Sequence, residues 1–167
     1  MHPYVNILQT YMTALGRSDY VTVKSLFAPG GKVLSPFLGE MTFGPFFDRL
    51  AGASTRNVIT PIDIFLSATE KNRATAYFQY DWTVRDGTLI KFEVMDLFTF
   101  ESRTNKITYL NLIYDTHPIR LSAGNKYESS VRCSGHRSAS TVHRMKYAAA
   151  QTSVTAERQT MFLELVD

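Results

Sequence analysis

Between Thr88 and Arg120 the sequence TLIKFEVMDLFTFESRTNKITYLNLIYDTHPIR alternates apolar and polar side chains with the period of a strand. It predicts two long strands joined by a turn at Ser102 to Asn105, the second running from Ile107 to Asp115. In the first strand Phe92, Val94, Asp96, Phe98 and Phe100 share one face, because strand side chains alternate. One carboxylate therefore stands among four apolar neighbours. An ionised carboxylate in such a setting is costly, so Asp96 must be paired, hydrogen-bonded or neutral.

The rest of the pattern builds a domain around this hairpin. Pro3 to Gly16 reads as a helix, with Tyr4, Ile7, Leu8, Tyr11 and Leu15 on one stripe. Pro3 suits the first turn and Gly16 the stop. Ser18 or Asp19 caps a second, short helix expected to run through Ala28 and end at Pro29-Gly30-Gly31. Lys32 to Phe43 is extended and interrupted by Pro36 and Gly39. Gly44-Pro45 opens a third helix that Gly52 stops. Asn57 to Ser67 is a strand whose Pro61 marks an edge or a bulge. Arg73 to Val84 is a further strand, joined to the next by a two-residue hairpin at Asp86-Gly87. Three helices followed by consecutive antiparallel strands imply an α+β domain over residues 1–120, with the helices on one face of a bent sheet.

Beyond Arg120 the composition turns to Ser, Ala, Thr, Arg and His. Residues 121–167 are expected to form a partly helical or mobile extension, with helices over Ala139 to Thr152 and Ala156 to Val166. Cys133, His136 and His143 lie there without a fourth ligand at finger-like spacing, so no metal site is expected. Arg137, Arg144 and Lys146 read as a solvated basic face.

Composition narrows the function classes. The 44% hydrophobic and 13% aromatic content suffices for one sizeable core. The net charge of +3 is small, and residues 1–120 are close to balanced, so nucleic acid is not an expected partner. No apolar run is long enough to span a bilayer, and the N-terminal MHPYVNILQTYM lacks the charged start and apolar stretch of a leader. A single cysteine excludes an intramolecular disulfide and suits a cytoplasmic setting. No nucleotide or metal motif is visible, so any catalysis is expected to be cofactor-free.

Several strings carry a family resemblance: QTYMTALGRSDYVTVKSLFAPGGKV, GPFFDRL, EVMDLFTF and NKITYLNLIYD. Over residues 3–120 the chain resembles the nuclear transport factor two-like superfamily, in its SnoaL-like and ketosteroid isomerase-like branch. That resemblance implies a cone: a strongly curved mixed or antiparallel sheet wrapped on three helices (a cystatin-like α+β barrel) around a small-molecule pocket. It also implies a homodimer.

The resemblance suggests site residues. Tyr11 matches the isomerase's oxyanion-hole tyrosine, and Asp96 matches its protonated aspartic acid, a general example of a neutral carboxylic acid donating a hydrogen bond. The isomerase's general-base aspartate is replaced here by Ser35, in VLSPFLG. A serine hydroxyl cannot collect an α-proton at neutral pH as a carboxylate does. SnoaL-like cyclases place an acid–base aspartate late in the sheet, which points to Asp115, with His117 and Arg120 close behind. The Asp–Arg–Asp set of the limonene epoxide hydrolase branch is not matched, since Gln79 and Tyr77 stand near two of its positions.

The candidate catalytic residues are thus Tyr11, Asp96, Asp115 and His117. Phe65, Phe78, Tyr80, Trp82 and Phe98 are candidate pocket residues for a small hydrophobic molecule. Each has a plainer alternative. Asp96 is equally a structural carboxylate satisfied by a tyrosine or by backbone. Tyr11 and the aromatics are equally core. Asp115 reads more simply as a turn acceptor before Pro118. Two functions remain open: acid–base catalysis on a small apolar carbonyl or polyketide-like compound, or a module that binds a ligand or dimerises without turnover.

Overall fold

The computed structural model describes residues 2–120. The expected tail helices and the Cys133, His136 and His143 grouping lie outside these residues.

Helix α1 (Pro3–Gly16) follows its apolar stripe, burying Tyr4, Leu8, Tyr11, Met12 and Leu15. Its first turn is capped by His2, whose Nδ1 accepts from the Tyr4 amide at 3.4 Å. Helix α2 (Tyr20–Ser25) starts on Asp19, whose carboxylate accepts from the Thr22 amide at 3.0 Å. It is shorter than the pattern suggested. Strand β1 (Phe27–Ser35) already begins at Phe27, so Pro29-Gly30-Gly31 lies within a strand rather than after a helix. Gly30 adopts φ +76° there, a conformation that glycine tolerates without strain. Strand β2 (Gly39–Thr42) and helix α3 (Phe43–Ala53) follow, with Gly52 inside the helix instead of past its end.

Strands β3 (Ser54–Leu66), β4 (Arg73–Val84), β5 (Leu89–Phe100) and β6 (Ile107–Tyr114) complete the domain. The six strands form one sheet in the order β2-β1-β6-β5-β4-β3. All neighbours are antiparallel except β1 and β6, which run parallel and make the sheet mixed. The sheet is open, so the barrel implied by the family resemblance does not close; β2 and β3 are its edges. Pro61 sits on the edge strand beside a register shift, as its missing N–H requires.

The β4–β5 connection is longer than two residues. The Val84 amide donates to the Thr88 carbonyl at 3.0 Å and the Gly87 amide to the Val84 carbonyl at 2.9 Å. Residues 85–87 therefore form a three-residue loop with Gly87 at φ +87°, the other common solution for a twisted hairpin.

One face of the sheet is buried under α1 and α3. On β4 it presents Ala74, Ala76, Phe78, Tyr80, Trp82 and Val84, and on β5 Ile90, Phe92, Val94, Asp96, Phe98 and Phe100. Among the described residues no helix is long and apolar enough to cross a membrane.

Candidate functional site

Asp96 is where the two predicted layers meet. It lies mid-strand on β5, opposite Ala76 of β4 and Leu112 of β6, and is 1% exposed. From α1, one face of whose stripe is aimed at β5, the Tyr11 hydroxyl donates to Asp96 Oδ2 at 2.8 Å. The Tyr11 ring packs edge-on against Phe98 at 4.9 Å, which fixes its direction.

The other carboxylate oxygen, Oδ1, is buried and has no hydrogen-bond partner among the described residues. Buried polar atoms are almost always satisfied, so an orphaned one asks for an explanation. Burial pushes the Asp96 carboxyl up to about 7, against a smaller opposing effect of the Tyr11 hydrogen bond. The same burial, reinforced by the adjacent Asp96, holds the Tyr11 phenol well above its usual range.

Asp96 opens into a cavity lined by Tyr11, Leu15, Phe46, Phe47, Leu50 and Phe78 on one side. Ser35, Tyr80, Trp82, Phe92, Val94, Leu112, Tyr114 and Ile119 complete its wall. The walls are almost wholly apolar. About 60 Å³ is open to the centres of water-sized spheres. That is less than the ~150 Å³ apolar cavity that accepts benzene, so a ring-sized guest requires the flanking side chains to move.

Two further polar arms reach this wall. Tyr80 donates to Asn57 Oδ1 at 2.7 Å, and Asn57 Nδ2 donates to Ser18 Oγ and to the Tyr20 hydroxyl, both at 2.8 Å. Trp82 Nε1 donates to Ser54 Oγ at 2.8 Å. Across the cavity, Ser35 Oγ accepts from the Phe37 and Leu38 amides, each at 3.2 Å. Tyr114 packs between Phe37 and Phe92, with centroids 6.2 and 5.1 Å away. Burial holds its phenol above the usual range, and the Ser35 hydroxyl acts in the opposite direction.

The sequence-predicted residues divide. Tyr11, Asp96, Phe78, Tyr80 and Trp82 come together around the cavity, as does Ser35 at the position where the isomerase has its base. Phe98 is buried behind Tyr11 and does not reach the cavity. Phe65 is 45% exposed on edge strand β3, since the shift after Pro61 turns it away from the core. Asp115 and His117 are exposed and absent from the cavity wall. Strand β6 ends at Tyr114, and Asp115 accepts from the His117 amide at 2.8 Å, a local turn acceptor.

Tyr114 and Asn57 were not anticipated. Counting by twos from Ile107 puts Asp115 on the buried face and Tyr114 outside. The register shifts by one residue at the start of β6, so that Leu110, Leu112 and Tyr114 share the inner face instead, the last two at the cavity. A bulge of this kind leaves no mark in an alternating sequence. Asn57 lay in a predicted strand, but its partners come from Ser18 and Tyr20, far off in sequence.

No protein-family model matches the chain, and no curated protein matches it in sequence. Solved structures do match. An NTF2-like protein from Burkholderia pseudomallei superposes with a TM-score of 0.60 at 17% identity, over 72% of this chain and 97% of that one. TerC, crystallised with polyporic acid, gives 0.60 at 14% identity, over 72% and 97%. A putative polyketide cyclase from Pseudomonas putida gives 0.59 at 14% identity, over 67% and 91%. At such identities the likeness carries the architecture and not the chemistry. The described residues have the NTF2-like fold.

Proposed function

We propose that this protein is a cofactor-free acid–base enzyme acting on a small, largely apolar carbonyl compound, with Asp96 Oδ1 exchanging a proton with the bound molecule. The observation that carries this reading is the orphaned Oδ1, buried in a carboxyl that lines a largely apolar cavity. Tyr11 holds the other oxygen and fixes the carboxyl plane. With Asp115 and His117 outside the cavity, Asp96 is the proton-moving group left at its wall. A carboxyl raised to about 7 is poised both to take and to give a proton near neutral pH. The chemistry is of the isomerase, cyclase or lyase type. The names of similar structures, a putative polyketide cyclase and a protein crystallised with polyporic acid, support a carbonyl-bearing substrate class.

Cyclopentanone tests this reading, as a saturated ring ketone with exchangeable α-protons. In deuterated buffer the protein should speed deuterium incorporation beside the carbonyl, and Asp96→Asn should remove the acceleration. A rate equal to that of buffer alone would contradict the catalytic reading.

A second reading has its own observation. Ser35 stands in the cavity where the isomerase has a carboxylate, which favours a module that holds a ligand without turnover. Saturable binding of the ketone without exchange would select it. We also infer a homodimer formed through the outer sheet face, where Tyr77, Met95 and Ile113 adjoin across β4, β5 and β6 with Met95 and Ile113 exposed. A cytoplasmic setting is supported by the lone cysteine.

A further inference from the structure

The residues around Leu112 carry a consequence for where a carbonyl oxygen would sit. On the cavity face of the sheet Leu112 is opposite Asp96 of β5. On its other side is β1, paired through Leu34 and Asn111, whose next residue is Ser35. Tyr114 follows two residues along the same face, opposite Val94 and diagonal to Asp96. Diagonal neighbours of this kind lie about 7–8 Å apart along the sheet, within reach of long side chains, and both residues line the same cavity.

The hydrogen-bond ledger then assigns directions. Tyr11 has spent its only proton on Asp96 Oδ2. Tyr80 has spent its proton on Asn57. Ser35 Oγ has received two backbone amides, so what remains to it is its own proton. Ser35 lines the same cavity as Tyr114, one residue beyond the Leu34–Asn111 pair, and its hydroxyl acts on the Tyr114 phenol as a donor does. A phenol that accepts from Ser35 keeps its own proton for the cavity. A donor chain of this form polarises its last member.

We propose that Tyr114, oriented by Ser35, is the donor that receives the substrate's carbonyl oxygen, and that Asp96 faces the adjacent carbon. This rests on the acid–base reading above and reverses the assignment the family resemblance implies: the carboxyl at position 96 moves the proton, and the oxygen is held from the last strand rather than by Tyr11. The step balances without a co-reactant. Ionised Asp96 Oδ1 takes a proton from the carbon beside the carbonyl. The C–H electron pair forms the enolate double bond, and the carbonyl electrons move to the oxygen held by Tyr114. The proton then returns from Asp96 to the same or a conjugated carbon. Tyr114 is a catalytic residue in this scheme and Ser35 a positioning residue.

The test uses cyclopentanone labelled with ¹³C at the carbonyl, added to the full-length protein. Hydrogen bonding to the oxygen moves that resonance downfield on binding. Tyr114→Phe should lose most of the shift while still binding the ketone. Tyr11→Phe should keep it. Ser35→Ala should reduce it without abolishing binding, which a purely structural serine would not do. A shift lost in Tyr11→Phe and kept in Tyr114→Phe would overturn the inference and leave the acid–base reading standing. Absence of saturable binding to the parent protein would overturn both. A thermal melt of each variant verifies that it is folded. Removal of one phenol oxygen leaves the packing of the Tyr114 ring against Phe37 and Phe92 in place.

Discussion

Strand β5 carries two carboxylate–tyrosine pairs on opposite faces, and they make a natural comparison. On the inner face Tyr11 donates to Asp96; on the outer face Tyr77 donates to Glu93. The chemistry of the two contacts is the same. The surroundings differ: Asp96 is fully buried beside a cavity, whereas the Tyr77–Glu93 pair faces solvent. The inner carboxyl is pushed up to about 7 by burial and keeps an oxygen without a partner. The outer pair can exchange partners with water. A hydrogen bond thus does not define a site; what defines it is the desolvated remainder that the bond fails to satisfy.

The largest expected effect breaks the comparison at Asp96 itself. Its folded-state pKa of about 7 lies above its ordinary value of 3.8. Between those two values the folded chain keeps a proton that the unfolded chain has released. Stability from this group is therefore present at low pH, falls as pH rises from about 4 to 7, and is level above. Asp96→Asn removes the titration. The stability of the variant relative to the parent should rise by up to about 4 kcal/mol between pH 4 and pH 8, read from denaturant melts at the two values.

The next effect is that of Tyr11→Phe. It leaves both oxygens of Asp96 unpaired and should destabilise the fold by about 1–3 kcal/mol, the cost of a buried acceptor losing its donor. It should also raise the carboxyl further, because the lost bond was the one lowering it. Tyr77→Phe on the outer face should leave the melt unchanged.

The smallest effect on stability concerns the outer face. Met95→Lys places a charge in the exposed apolar row with Ile113. It should leave the melting temperature of the protomer nearly unaltered while shifting sedimentation from dimer to monomer. An unchanged mass would remove that face as the contact between copies.

Much of this was legible in the chain. The period-two pattern of β5 put Asp96 among phenylalanines, and the 3.6-residue stripe put Tyr11 inside; their meeting at 2.8 Å joins two local patterns 85 residues apart. What sequence could not supply was phase and closure. The register shift at the start of β6 exchanged Asp115 for Tyr114 at the cavity, and the shift after Pro61 turned Phe65 outward. Both are one-residue events, and one residue reverses a strand face. The Asn57 network and the two amides given to Ser35 were hidden for another reason. They depend on which partners the fold delivers, and a serine reads alike whether it gives or receives.

The measurement that tests this account most directly is the titration of the Asp96 carboxyl, followed by ¹³C NMR on the full-length protein with Asp96→Asn to assign the resonance. The buried, half-satisfied carboxyl described here should titrate near 7. A midpoint close to 4 would mean that Oδ1 is solvated or partnered in solution, and would contradict both the orphaned oxygen and the function built on it.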